Sequence, residues 1–368
     1  MINVFGSKVG KEEIEQITDS ISKQWMGMGP KTKAFEAQMA ERLSTDKFVL
    51  VDSGSNGLYM ALTLLNLPAG SEVIVPSFTW VSCAQVVMLA GCVPVFCDVD
   101  LDTQNVTADL IKPHITEKTS AIMIVHYAGL AVDMDPIMEL GYPVIEDACH
   151  AIDSTYKGRA CGTIADVGVY SFDAVKNLSM GEGGGVVSNH KEALERASIL
   201  RYCGIGKSGF EASTHGRERW WEYNIVEPFI KMNPSDIAAG IGLAQLGKLD
   251  DMQAYRKKIW DIYQEEFAEI DWIKCPVEAS EGDKHSYFTY FMRVPRRDEL
   301  AKYLFEKEIY TTLRYHPLHL NPIYKSDKVL PNSNELNETG INIPLHPSLS
   351  MNDVDKIVEE IKEFGKQL

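Results

Sequence analysis

Phe48-Val49-Leu50-Val51-Asp52-Ser53-Gly54-Ser55-Asn56-Gly57 joins a short apolar run to a turn of small residues, and a helical pattern follows from Gly57 to Leu65. The run reads as a strand over Phe48–Asp52, so this is a strand–turn–helix unit. The same alternation continues along the chain. Strands are predicted at Glu72–Val75, Val93–Cys97, Ala121–Val125, Val144–Glu146 and Val167–Ser171, with a further helix over Val81–Leu89. Strands alternating with amphipathic stretches imply an α/β fold with a mostly parallel sheet flanked by helices. Ligands of such sheets bind beyond the carboxyl ends of the strands, so the loops there are where chemistry is expected.

After Pro234 the pattern changes. Helices are predicted over Ser235–Leu249, Met252–Glu269, Arg297–Glu306 and Asp353–Glu363, a strand over Tyr287–Val294, and a polar surface loop over Lys325–Glu338. This suggests a large domain over residues 1–247 and a smaller C-terminal α/β domain over 248–368, with the opening residues packing against the smaller one.

Bulk properties exclude several classes. Lys plus Arg is 36 against 52 for Asp plus Glu, a net charge of −16 without a basic stripe, which disfavours nucleic acid and anionic membranes. An anionic substrate must therefore meet a local cluster of cations. Seven scattered cysteines without a C-x-x-C pair read as reduced thiols of a cytoplasmic protein. No secretory signal is evident at Met1–Lys8, and no apolar run approaches the ~20 residues a membrane helix needs.

Four features fall at predicted strand ends. Asp52–Gly57 offers backbone N–H groups and a helix N-terminus to an anion, although a plain Ser/Asn cap explains it equally well. Val144-Ile145-Glu146-Asp147-Ala148-Cys149-His150 ends an apolar strand in two carboxylates; Asp147 suits a protonated pyridine nitrogen, against an ordinary turn as the bland reading. Trp80, in Pro76-Ser77-Phe78-Thr79-Trp80, suits stacking on a planar ring, against a core tryptophan. Lys176 follows a strand and precedes the cluster Gly181-Glu182-Gly183-Gly184-Gly185. Desolvation there lowers a lysine's pKa and frees its amine to form an imine. A phosphate cradle, a stacking aromatic, an acid and then a lysine match pyridoxal 5'-phosphate (PLP).

Together with Glu72–Thr79, Pro94–Asp100, Ser171-Phe172 and Tyr315-His316-Pro317-Leu318-His319, these motifs resemble the DegT/DnrJ/EryC1/StrS sugar aminotransferases of the type I aminotransferase fold. The resemblance covers nearly the whole chain. It implies that Lys176 closes the imine with PLP and then moves the proton, and that Asp147 holds the pyridine nitrogen. Ser55, Asn56 and Ser171 would bind the phosphate and Trp80 would stack on the ring. His150 stands where the family usually has glutamine, near the cofactor's phenolic oxygen. Many members have Gly-Tyr-Asn-Tyr-Arg-Met, whose asparagine reaches the phosphate of a partner subunit. Here the run is Phe229–Asp236, with Lys231 and Asn233 as the claimants and Asn224 less favoured. Glu182, Arg314, Tyr315 and His316 fall on the substrate side, where Arg219, Tyr223 and Lys231 are further candidates against a diphosphate.

Two decoys are set aside. Asp98, Asp100 and Asp102 alternate like a calcium loop, but Thr103 stands where the sharp turn needs glycine. Gly204-Ile205-Gly206-Lys207-Ser208 resembles the tail of a P-loop, but Arg201 replaces its first glycine. No metal site is expected.

The resemblance implies a cytoplasmic homodimer that moves an amino group from glutamate, through pyridoxamine 5'-phosphate (PMP), to a nucleotide-linked ketosugar. A 4-keto-6-deoxyhexose is preferred, for amino-sugar biosynthesis, with a 3-keto sugar or keto-cyclitol as alternatives. A sugar dehydratase of the same family carries histidine at the position of Lys176, and a PLP-binding regulator would need a DNA-binding segment that is not evident.

Overall fold

A computed structural model describes residues 1–206 and 221–367. Its centre is a sheet of seven strands: β1 (Val49–Val51), β2 (Glu72–Pro76), β3 (Val93–Cys97), β4 (Thr119–Val125), β5 (Val144–Asp147), β8 (Val167–Ser171) and β9 (Gly184–Ser188). A small hairpin, β6 (Thr155–Tyr156) and β7 (Arg159–Ala160), lies between β5 and β8 in the chain. The order across the sheet is β1-β9-β8-β5-β4-β2-β3. Only β9 runs against its neighbours, pairing antiparallel with both β1 and β8. Six strands therefore deliver their carboxyl ends to one edge of the sheet.

The apolar runs of these strands are buried on both faces, as expected of a sheet covered by helices. Four helices precede β3: α1 (Lys11–Ser22), α2 (Pro30–Arg42), α3 (Gly54–Leu64) and α4 (Ser82–Leu89). On one face of the sheet, Val73, Val75, Ile145 and Val169 pack with Leu58 and Leu62 of α3 and with Val86 of α4. On the other side, Phe35, Phe48, Tyr170 and Phe172 form an aromatic cluster that ties α2 to the sheet.

The predicted strands are all present, within a few residues of their expected bounds. β9 was not anticipated, because two glycines open it. A Cβ on Gly185 would stand 1.9 Å from the Phe48 ring, so close packing, not a turn, requires glycine there.

Beyond residue 235, helices Asp236–Leu246 and Leu249–Phe267 lead into β10 (Tyr290–Arg293), helix Arg297–Glu306, β11 (Gly340–Ile343) and helix Met351–Gly365. β10 and β11 pair antiparallel, over a core of Trp260, Tyr263, Tyr290, Ile343 and Ile357. The expected loop over Lys325–Glu338 is corrected: Pro331–Thr339 is a helix. Its N-terminal donors, the N–H groups of Asn332 and Ser333, are met by Asp98 at the end of β3. A cap supplied from more than 200 residues away leaves no local signal in the sequence.

Among the described residues no helix is long and apolar enough to cross a membrane.

Candidate active site

At the carboxyl edge of the sheet lies a cavity of about 640 Å³. It gathers Ser55 from the start of α3, Trp80 after β2, Asp147 from the end of β5 and His150 after it, and Ser171 and Lys176 from β8 and its loop. Glu182, Arg314 and Tyr315 also line it. Residues expected to act together from separate loops are thus brought to one cavity by the sheet topology. Asn56, Lys231, Asn233 and His316 do not line it. Asn56 turns its amide to Asp52 at 2.7 Å, and His316 is exposed and hydrogen-bonds Asn337 at 3.0 Å. Lys231 is exposed and Asn233 half-buried, on either side of Met232, whose carbonyl accepts from the Asp52 N–H. Tyr223 and Asn224 are exposed as well, whereas Arg219, Lys207 and Ser208 lie outside the described residues.

Successive residues of a strand point to opposite faces, and this separates the two carboxylates that end β5. Glu146 is fully buried and occupied: its oxygens accept from the N–H groups of Gly162, Ile164 and Ala165, and it pairs with His126 at 2.9 Å. Asp147 faces the cavity. Its Oδ1 accepts from the Cys149 N–H at 3.0 Å, and its Oδ2 from the Cys83 thiol at 3.1 Å. Burial, then the Asp147 charge, pushes the Cys83 thiol well up, so it stays protonated and remains a donor.

Lys176 is half-buried, with Nζ 4.8 Å from the centre of the Phe288 ring. Burial holds its pKa below the usual lysine value, against the opposing pull of Cys149. The loop that carries it is fixed by Asn177, which donates to the Ser286 carbonyl and to Gln253.

His150 stacks on Phe288 with ring centres 4.1 Å apart, and its Nε2 meets Tyr315 Oη at 2.9 Å. Burial, with Lys176 and Arg314 nearby, keeps it neutral far below the usual histidine range. Its Nδ1 is buried with no hydrogen-bond partner among the described residues. Trp80 is 52% exposed on the cavity wall, 5.5 Å from the Tyr315 ring, which rules out a core role. Ser53 caps α3 through the Asn56 N–H, leaving Ser55 to pair with Ser82 at 2.6 Å. At Gly54 a Cβ would approach Ser171 Cβ to 2.8 Å, so the turn and the end of β8 form a close-set cradle that a side chain would fill.

Sequence reasoning overlooked Ser82, Cys83, Cys149, Asp173 and Phe5. Phe5 is the furthest from any legible pattern, since it reaches the cavity only through long-range pairing of the N-terminal segment. Ile2 bridges to Ile309 in parallel, and the Ser7 hydroxyl donates to the Ala174 carbonyl in the lysine loop.

A parallel α/β sheet with an amine and a carboxylate facing one cavity at adjacent strand ends defines an enzyme class in which a lysine does covalent work. The sequence profile described as the DegT/DnrJ/EryC1/StrS aminotransferase family matches residues 7–362, and the chain belongs to that family. It is 34% identical to the dTDP-4-dehydro-2,3,6-trideoxy-D-glucose 4-aminotransferase of Saccharopolyspora spinosa, over 99% of this chain and 96% of that protein. The spore coat polysaccharide biosynthesis protein SpsC of Bacillus subtilis is 32% identical, over 97% and 95%. Among solved structures, the aminotransferase TlmJ from Streptoalloteichus hindustanus superposes with a TM-score of 0.93 at 36% identity, covering 99% of this chain and 98% of that one. Spr1654 from Streptococcus pneumoniae, in its PMP form, gives 0.94 at 31% identity, with both chains fully covered.

Proposed function

We propose that this aminotransferase works with PLP and moves an amino group from glutamate to a nucleotide-linked ketosugar, preferably a 4-keto-6-deoxyhexose. The observation that carries the reading is the meeting of Lys176 and Asp147 in one cavity, the lysine desolvated and the carboxylate oriented by Cys83 and Cys149. The cavity suits the cofactor in three respects: a glycine-lined cradle at Gly54, an orphaned nitrogen on His150, and an exposed indole on the wall. When bound, PLP supplies an aldehyde for covalent capture of amines and an electron-poor ring for the proton shift.

Each residue then has one task. With PLP bound, Lys176 would hold it covalently and its amine would serve as the base for the proton shift. Asp147 would hold the ring nitrogen, Ser55, Asn56 and Ser171 the phosphate, Trp80 the ring face, and His150 would supply a polar contact to the ring. Glu182, Arg314, Tyr315 and His316 serve the substrates.

The chain works as a homodimer, in which exposed Lys231 or half-buried Asn233 reaches the partner's phosphate. The exposed side chains Tyr223, Ile225, Val226 and Ile230 beside them support an interface. A division into domains 1–247 and 248–368 accompanies the reading. It is supported by a separate core around Trp260, and Val4 of the opening segment hydrogen-bonds Leu345. The choice of C4 is supported by the Lys231-Met232-Asn233-Pro234-Ser235-Asp236 run and by the name of the S. spinosa relative.

The test is incubation of the purified protein with PLP, glutamate and a panel of dTDP-, GDP- and UDP-linked ketosugars. 2-Oxoglutarate should form, and NMR of the product should show an amine at C4. The Lys176→Ala variant should lose the visible absorbance of bound PLP and more than about a thousandfold in turnover. No 2-oxoglutarate with any ketosugar, or full activity of the variant, would sink the reading.

A further inference from the structure

Arg314 is assigned above to the substrates, and its surroundings are unusual for an arginine. Among the described residues lining the cavity, the basic side chains other than the neutral His150 are Lys176 and Arg314. Arg314 makes no ion pair with a described carboxylate. Its Nη1 donates to Tyr315 Oη at 3.4 Å, and its guanidinium carbon lies 3.6 Å from the centre of the Phe5 ring and 5.3 Å from that of Phe288. The backbone is fixed as well: the Arg314 N–H donates to Asn342 at 2.7 Å, and its carbonyl accepts from the Tyr127 hydroxyl. At 3.6 Å from the ring centre a guanidinium has room only when roughly parallel to the ring, so its fork of N–H donors points sideways over the ring face, preorganised for a planar two-oxygen acceptor.

We infer that Arg314, held flat by Phe5, receives the carboxylate of the amino donor and so selects an α-amino acid for the first half of the reaction; this rests on the transamination proposed above. The argument is one of placement. A donor must bring its amine to where the Lys176 amine stands, and its α-carboxylate is attached to the same carbon as that amine. The receptor must therefore lie near Lys176, and Arg314 shares both its cavity and its aromatic neighbour: the lysine amine is 4.8 Å and the guanidinium carbon 5.3 Å from the centre of the Phe288 ring. Asp147, Asp173 and Glu182 line the same cavity and repel an anion, which leaves Arg314 as the place where a carboxylate finds its counter-charge. The diphosphate of a 4-keto sugar nucleotide is set apart from the reacting carbon by the sugar ring, so it lies further out. Phe5 is then a positioning residue: it touches the guanidinium, not the reacting atoms.

The two half-reactions separate the possibilities. In single turnovers followed by cofactor absorbance, Arg314→Gln should cut kcat/KM for glutamate by about a hundredfold, the loss expected for a charge-assisted pair. Arg314→Lys should recover only part of it, because the ammonium lacks the planar fork. The reaction of the PMP form with the ketosugar nucleotide should fall by no more than about threefold, a size reached by small packing changes alone. Phe5→Leu should raise KM for glutamate while kcat changes little. Calorimetric titration with 2-oxoglutarate, which cannot react with the PLP form, gives a readout apart from turnover: its binding should weaken in Arg314→Gln and in Phe5→Leu. Equal losses in both half-reactions, or 2-oxoglutarate binding unchanged in Arg314→Gln, would overturn the assignment. An unsubstituted protein that glutamate does not convert would overturn the transamination itself, and the assignment with it. That result is distinct, since it needs no variant.

Discussion

Asp147 shows how much a neighbouring side chain contributes to a functional carboxylate. Its two oxygens are engaged by one backbone N–H and one thiol, and the thiol is in turn 3.3 Å from the Thr79 hydroxyl. A thiol is a weak donor, so it orients the carboxylate while leaving it basic toward a ring N–H. Replacing Cys83 with alanine should therefore weaken PLP binding about fivefold, the value of one modest hydrogen bond. Cys83→Ser, with a stronger donor, should hold the affinity but shift the pH dependence of the bound cofactor's absorbance. A spectrum and affinity identical to the unsubstituted protein in both variants would remove Cys83 from the site. None of this is legible in the sequence, where Cys83 and Asp147 are 64 residues apart.

At the scale of elements, two helices take their N-terminal caps from distant carboxylates. Asp98 serves Pro331–Thr339, and Asp236 serves α2 by accepting from the N–H groups of Gly29, Lys31 and Thr32 and from the Thr32 hydroxyl. Gly29, the residue before α2, supplies no side-chain cap of its own. Asp236 is 2% exposed, so its removal leaves several donors buried without partners. Asp236→Ala should lower stability by about 3 kcal/mol, read as a lower urea midpoint at unchanged slope. A change below about 0.5 kcal/mol, the range of ordinary surface substitutions, would show that water replaces the carboxylate. The aspartates that alternate like a calcium loop are accounted for in the same way. Asp98 caps a helix, Asp100 accepts from the N–H groups of Asp102 and Thr103 in its own turn, and Asp102 pairs with Arg293.

Over the whole molecule, burial sets the charge of two histidines that have no carboxylate partner. It pushes His285 from 6.5 to about 3 and His346 from 6.5 to about 4. On unfolding both return to their ordinary value, so below pH 6.5 the unfolded chain binds more protons than the native one, and stability rises with pH in that window. For these two nothing is lost above 6.5, and the loss grows as pH falls from there toward about 4 for His346 and about 3 for His285. His126, held up at about 10 beside Glu146 despite burial, acts in the opposite sense: its contribution is full below 6.5 and declines as pH rises toward 10. His285 and His346 should therefore each make the urea-derived stability at pH 5 lower than at pH 7.5 by on the order of 1–2 kcal/mol, an effect that the His126 contribution offsets only above pH 6.5. His285→Gln, which keeps an acceptor for the Tyr287 N–H, should flatten that drop; an unchanged slope would rule His285 out as its source.

The division between what was readable and what was not follows from the range of the forces involved. Alternating apolar runs, small-residue turns and the lysine before a glycine cluster are local patterns, and they sufficed for the α/β class, the sheet strands β1 to β5 and β8, the family resemblance and the residues of the carboxyl edge. β9, the Pro331–Thr339 helix and the opposite fates of Glu146 and Asp147 depend on what packs against them. So does the placing of Phe5 against Arg314. Those contacts join segments up to some 300 residues apart, where the chain itself imposes no register, and only the packed structure chooses which groups meet.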